Sequence, residues 1–167
     1  VLADSACGLL VDGSVLCQFL PADWFLVPGP SDGTQYTQVS TGNWYACGLT
    51  SGGAIDCWGD NNAYGLQNVP VLPEGLKYTQ VSAGVYRACG LRSDGLIICW
   101  GFNPGGDPNV FSAPNGMPYT QVGAAHHHTC GLTSDHLLFC WELSKSDDEW
   151  GAPPLPEGVF YTQFNIG

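Results

Sequence analysis

Positive charge is scarce: four Lys and Arg stand against 15 Asp and Glu, a formal net charge of −11 at pH 7. A surface so acidic repels phosphate backbones and anionic headgroups, so neither nucleic acid nor an anionic membrane is an expected partner. Charged residues of both signs together make up only 11%, against about 25% in an average soluble domain. Long apolar runs are missing as well. None approaches the roughly 20 residues that span a bilayer, so no membrane insertion is expected. No basic n-region and apolar h-region open the chain, and any secretory leader is expected to have been removed or to lie outside it. No sustained 3.6-residue apolar period occurs, so helices should be scarce. Asn-x-Ser/Thr sequons are absent, which excludes N-glycosylation by that rule and leaves O-linked sugars open.

Signatures of catalysis are missing too. There is no Gly-x-Ser-x-Gly elbow, no His-Glu-x-x-His and no Gly-rich phosphate loop with its Lys. The chain is therefore expected not to be an enzyme and to need no cofactor.

What the chain does have is turns and sulfur. It carries 23 Gly, 12 Pro and 8 Cys in 167 residues, and it is 44% hydrophobic. That composition excludes disorder and points to many short elements around one core. Eight evenly spaced Cys in pairs indicate an oxidising compartment, hence a secreted or cell-surface protein.

The spacing is periodic. Tyr-Thr-Gln begins at Tyr36, Tyr78, Tyr119 and Tyr161, at intervals of 42, 41 and 42 residues. The first Cys of each pair falls at Cys7, Cys47, Cys89 and Cys130, at intervals of 40, 42 and 41. Two markers keeping one period define a repeat. Each unit runs from a β-like Tyr-Thr-Gln segment through a Gly-bearing loop to Ala/Thr-Cys-Gly-Leu, a turn, an apolar run and Cys-Trp. Several short strands per unit of about 41 residues, with Gly-rich turns between them, are the pattern of a β-propeller. The expected architecture is all-β: one domain over residues 1–167, with units near 1–35, 36–77, 78–118 and 119–160 and a closing strand at 161–167.

The Cys spacing follows from hairpin geometry. With a two-residue loop at Asp94-Gly95, Cys89 would oppose Trp100, and the two Cys would point to opposite faces. With a three-residue loop, Ser93-Asp94-Gly95, Cys89 opposes Cys99. Such loops need a left-handed residue in third place, where Gly is favoured; Gly13, Gly53 and Gly95 stand there, and His136 in the last unit. The expected disulfides are Cys7–Cys17, Cys47–Cys57, Cys89–Cys99 and Cys130–Cys140. Ten-residue spacing does not suit a zinc site, which needs closely spaced ligands. In this register Cys89, Leu91, Ile97 and Cys99 share one sheet face, and Gly90, Leu96, Ile98 and Trp100 share the other. Both faces are apolar, so neighbouring units must cover both. The Gly after each first Cys (Gly8, Gly48, Gly90, Gly131) is expected where the next unit leaves no room for a side chain.

The segment "YTQVSAGVYRACGLRSDGLIICWG" resembles the repeat of the regulator-of-chromosome-condensation family, in the disulfide-bearing form of secreted bacterial proteins. The resemblance rests on Val81 to Gly84, on Cys-Gly-Leu, on Ser-Asp-Gly and on Cys57 to Asn61, and it extends over nearly the whole chain. It implies a β-propeller whose members mostly bind proteins or act as scaffolds, one of them as an inhibitor of β-lactamases. The family usually closes with seven blades, whereas four units are present here.

The first unit lacks a Tyr-Thr-Gln strand and the last residues supply one without a hairpin. Three outcomes are open: the tail completes the first blade in cis, it completes that of another copy in trans, or the units belong to a longer array.

Recognition is expected where the repeat varies, at Asn43, Trp44 and Tyr45, at Tyr86 and Arg87 (with Val85), and at His126, His127 and His128. Trp, Tyr and Arg are favoured interface anchors; the plainer reading is that Tyr45, Arg87 and His128 fill space near the propeller axis. Three consecutive His on a strand alternate in direction and cannot converge on one ion, so no metal is assigned to them. Asp60-Asn61-Asn62 lacks the pattern of a calcium loop, and Asp147-Asp148-Glu149 reads as a solvated acidic loop. The expected role is a non-enzymatic extracellular scaffold or structural subunit, a self-assembling surface or filament protein whose partner is itself or another protein. The alternative is a soluble binding module, a protein inhibitor or a lectin-like carbohydrate binder, that uses the loop aromatics.

Overall fold

The computed structural model describes residues 5–19, 23–30, 32–59, 64–102, 108–126, 128–142, 149–151, 155–164 and 166. Among them there is no helix, and 14 strands form four antiparallel sheets. The first sheet holds β1 (Ser5–Leu9), β2 (Val15–Phe19) and β3 (Phe25–Val27). The second holds β4 (Tyr36–Thr41), β5 (Tyr45–Thr50) and β6 (Ile55–Gly59). The third runs through β7 (Tyr78–Ala83), β8 (Arg87–Arg92), β9 (Ile97–Gly101) and β10 (Asn109–Phe111). The fourth runs through β11 (Tyr119–Ala124), β12 (His128–Thr133), β13 (Leu138–Glu142) and β14 (Glu149–Gly151). This is a β-propeller arrangement, with small sheets placed side by side.

The expected hairpin register is the observed one. Cys7 faces Cys17, Cys47 faces Cys57, Cys89 faces Cys99 and Cys130 faces Cys140. All four disulfides form, with Cα atoms 4.0–4.1 Å apart. The third loop residue is left-handed each time, at φ 80° for Gly13, 85° for Gly53, 82° for Gly95 and 68° for His136. Sequence sets this locally, because a type I turn closed by a left-handed residue is what brings position i opposite i+10.

The two faces of each sheet enter different cores. Cys89, Leu91, Ile97 and Cys99 pack with Tyr119, Val122 and Ala124 of the fourth sheet. Ile98 and Trp100, on the opposite face, pack with Cys47, Leu49 and Ile55 of the second. A third cluster joins Val15, Cys17 and Phe19 to Tyr36 and Ala46. Burial of both faces between neighbours is what lets strands of five or six residues hold together without a helix layer.

The conserved-looking Gly has a different neighbour from the one expected. A Cβ on Gly48, Gly90 or Gly131 would lie 2.6, 2.5 or 2.6 Å from the ring of Tyr36, Tyr78 or Tyr119, the Tyr of the same sheet's first strand. The adjoining sheet comes second, with the Ile55 and Ile97 side chains 3.2 and 2.7 Å from Gly90 and Gly131. Beside that Tyr stands the Trp of the third strand. Ring centroids are 5.5 Å apart for Tyr36–Trp58, 6.2 Å for Tyr78–Trp100 and 5.7 Å for Tyr119–Trp141. Each such sheet therefore lays a Tyr, itself paired with a Trp, over a Gly that cannot be replaced without moving the Tyr.

Candidate functional site

The Tyr-Thr-Gln segment does three separate jobs. Its Tyr covers the Gly. Its Thr sits at a bulge between Tyr36 and Gln38, and at the matching places in β7 and β11. There the hydroxyls of Thr37, Thr79 and Thr120 donate to the carbonyls of Leu49, Leu91 and Leu132 at 3.1–3.3 Å. Its Gln reaches the next sheet: Gln38 Nε2 donates to the Val81 carbonyl at 3.0 Å, and its Oε1 accepts from the Val81 N–H at 3.1 Å. Gln80 Oε1 accepts from the Val122 N–H at 2.7 Å. Ser40 and Ser82 Oγ accept from the N–H groups of Ala83 and Ala124 at 2.9 and 2.8 Å. Adjacent first strands are thus too far apart for a ladder, and side chains two residues apart bridge them. These strands line a groove of about 190 Å³, bounded by Gln38, Ser40, Gln80, Ser82, Gln121 and Phe164. In the sequence Tyr-Thr-Gln reads as a period marker on a β-like segment; the signal for the brace was the Gln and Ser at alternate positions of one strand, on one face.

The variable loops are the tips between first and second strands. The backbone bonds Gly42 N–H to Tyr45 O, Gly84 N–H to Arg87 O and Ala125 N–H to His128 O, at 2.9, 2.8 and 2.9 Å, close the same turn in three sheets. The structure separates the residues of these loops. Tyr45 is 0% exposed and its hydroxyl donates to the Arg87 carbonyl at 2.9 Å, so burial holds the phenol well above its ordinary pKa. Arg87 is 4% exposed, and burial lowers its guanidinium to about 10. Both lie buried between sheets in this structure. The physical reason is the strand period: the residue two before Cys points inward with the next sheet pressed on it. His128 is half-buried in the corresponding place.

Asn43, Trp44 and Tyr86 remain partly exposed and His126 is exposed. Trp44 is left-handed, at φ 63°, and packs against the cluster that joins Val15, Cys17 and Phe19 to Tyr36 and Ala46. Tyr86 is the centre of an aromatic group. Its ring centroid lies 5.6 Å from Tyr64, 6.4 Å from Phe102 and 5.1 Å from His126, and Tyr64 lies 5.1 Å from Phe102. Tyr64 and Phe102 are 43% and 41% exposed. The Phe102 N–H donates to the Tyr86 carbonyl at 2.7 Å, which fixes the third-strand exit beside the loop tip. Tyr64 and Phe102 were not among the sequence candidates, because each lies in an irregular connection outside the periodic frame. His127, Asp60-Asn61-Asn62 and Asp147-Asp148 lie outside the described residues. Among the described residues no group of three or more His, Cys, Asp or Glu is gathered in a way that could hold a metal, and no helix is long and apolar enough to cross a membrane.

Fold, disulfides and braces define a β-propeller repeat chain. The family model for the regulator of chromosome condensation (RCC1) repeat matches residues 36–65 and 78–106, within the second and third repeats. No curated protein matches it in sequence. Among solved structures, human WBSCR16 is similar at a TM-score of 0.73 and 18% identity, over 93% of this chain and 52% of that one. The ectodomain of the receptor kinase CR4 from Physcomitrella patens is similar at 0.68 and 25%, over 98% and 42%. Prp20p from Saccharomyces cerevisiae is similar at 0.67 and 18%, over 83% and 41%. The chain thus spans about half the length of the solved propellers it resembles.

Proposed function

We propose that this chain is a non-enzymatic extracellular scaffold that works through protein contact, including contact between its own copies. The observation that carries the reading is the division of labour within each repeat. Disulfide, Tyr-over-Gly packing and Gln/Ser braces keep the frame constant, while the loop tips at residues 43–44, 85–86 and 126 vary at one end of it. Variation on a rigid frame is how repeat scaffolds carry recognition. Two facts about relatives support it: the Physcomitrella structure is a receptor ectodomain, and the Prp20p structure is described with its binding to Gsp1p and histones. Four disulfides favour an oxidising compartment. Light scattering on the oxidised protein tests the self-association: species heavier than the 17.7 kDa chain support it, and a monomer at every concentration removes it.

A second reading, a soluble binding module for protein or carbohydrate, is favoured by the Tyr64–Tyr86–Phe102 group. Three contiguous exposed or half-exposed rings suit stacking on a sugar or an apolar side chain. A glycan array or pull-down whose signal disappears in Phe102→Ser would support it.

A further inference from the structure

The chain has four Lys and Arg in all, and the fold buries Arg87 to 4% exposure. A buried charge is costly unless an opposite charge or a set of hydrogen bonds meets it. Among the described residues the Arg87 guanidinium has neither: the ion pair there is Arg92–Asp94, and burial lowers the Arg87 pKa with no carboxylate acting against it. Tyr45, at the matching place one sheet earlier, donates to a carbonyl of the next sheet; Arg87 makes no corresponding bond among the described residues. Yet no nitrogen of Arg87 is both shut off from solvent and without a partner. The little of this residue that meets solvent therefore includes its charged head.

The place is a corner between two sheets, beside the aromatic group. Arg87 shares a strand face with Cys89 and Leu91, which pack on the fourth sheet. There the loop tips meet, and a Cβ on Gly84 would run into the Ala125 carbonyl. Arg87 also follows Tyr86 directly, and its backbone pairs with Gly101, the neighbour of Phe102. The exposed His126 borders the corner, its ring centroid 5.1 Å from that of Tyr86.

We infer that this corner holds an acidic sugar, its pyranose ring stacked on the Tyr64–Tyr86–Phe102 group and its carboxylate on the Arg87 guanidinium. This names the class of sugar for the second reading above and rests on that reading. The chemistry selects the class. A guanidinium offers paired N–H donors that fit a carboxylate, and a neutral sugar has none to give it. The rings offer faces to the C–H side of a pyranose, which a bare phosphate or an acidic side chain would leave unused. The net charge of −11 repels polymers with an acid on every residue, so the fitting ligand carries one acid on an otherwise neutral glycan.

The test is titration calorimetry on the full oxidised chain with a matched pair of probes, a trisaccharide ending in glucose and its counterpart ending in glucuronate. Expected is binding of the acidic probe about tenfold tighter or more. Arg87→Met should bring both probes to the neutral level, and Phe102→Ser should lose both. If Arg87→Met does not fold, Arg87→Lys, which keeps the charge without the fork, should still narrow the preference. Equal binding of the two probes by wild type overturns the acid subsite and leaves the aromatic reading standing. Binding of neither overturns both. A preference that survives Arg87→Met and Arg87→Lys overturns the assignment to Arg87. A peptide with a single Glu among neutral residues, bound as tightly and lost in Arg87→Met, overturns the sugar as the ligand class.

Discussion

The ring of Tyr78 lies directly over Gly90, so close that a Cβ on Gly90 would sit 2.5 Å from it. The same pair recurs as Tyr36 over Gly48 and Tyr119 over Gly131 and is missing at Gly8. One substitution at equivalent places therefore separates complete sheets from the incomplete one. Gly90→Ala forces the Tyr ring off its site, and overpacking of this kind costs about 1–3 kcal/mol. Gly8→Ala enters open space and stays within about 0.5 kcal/mol of wild type. Chemical denaturation of the two variants, compared at matched monomer concentration, checks the contrast.

Gln80 is the acceptor for the Val122 N–H, and Ser82 for that of Ala124. Gln80→Ala leaves the Val122 N–H without its acceptor, a loss of about 1–3 kcal/mol. Ser82→Ala acts on the same pair of strands, so the two losses should not add. A double-mutant cycle that returned strict additivity would contradict a shared brace.

Removing Cys89 and Cys99 together opens the sheet whose faces enter two of the cores. Loss of a native disulfide in a small secreted domain costs about 2–5 kcal/mol. A Cys89→Ala/Cys99→Ala double variant should therefore melt well below wild type, read by thermal unfolding without reductant.

Alkali should unfold the protein through its tyrosines. Burial raises the phenols of Tyr36 and Tyr78 to about 12, and Asp56 adds to the shift at Tyr36. Unfolded phenols ionise near 10. Between about pH 10 and 12 the folded state holds protons that the unfolded state has released, so the stability these groups contribute is complete below pH 10 and falls as pH rises. Tyr36→Phe should flatten that fall, measured as the midpoint of urea unfolding against pH.

Much of this frame was legible from residues alone, because it is local. A three-residue turn with Gly95 in third place dictates that Cys89 faces Cys99, and the two-residue strand period then assigns Leu91 and Ile98 to opposite cores. What escaped is set by distance in space. At Tyr45 and Arg87 the residues alone did not choose between recognition and filling space, and the adjoining sheet covers both. The occlusion of Gly90 was rightly steric but assigned to the neighbouring unit, since the bulge that swings Tyr78 back over its own sheet leaves no sequence mark. Tyr64 joins Tyr86 and Phe102 from an irregular connection that carries no period.

Peptide mapping of the intact protein without reduction tests the whole frame most directly. Every sulfur should be linked to the one ten residues away: Cys7 to Cys17, Cys47 to Cys57, Cys89 to Cys99 and Cys130 to Cys140. Linkages between different repeats, or free thiols at these positions, would contradict four hairpins each pinned across its own two strands.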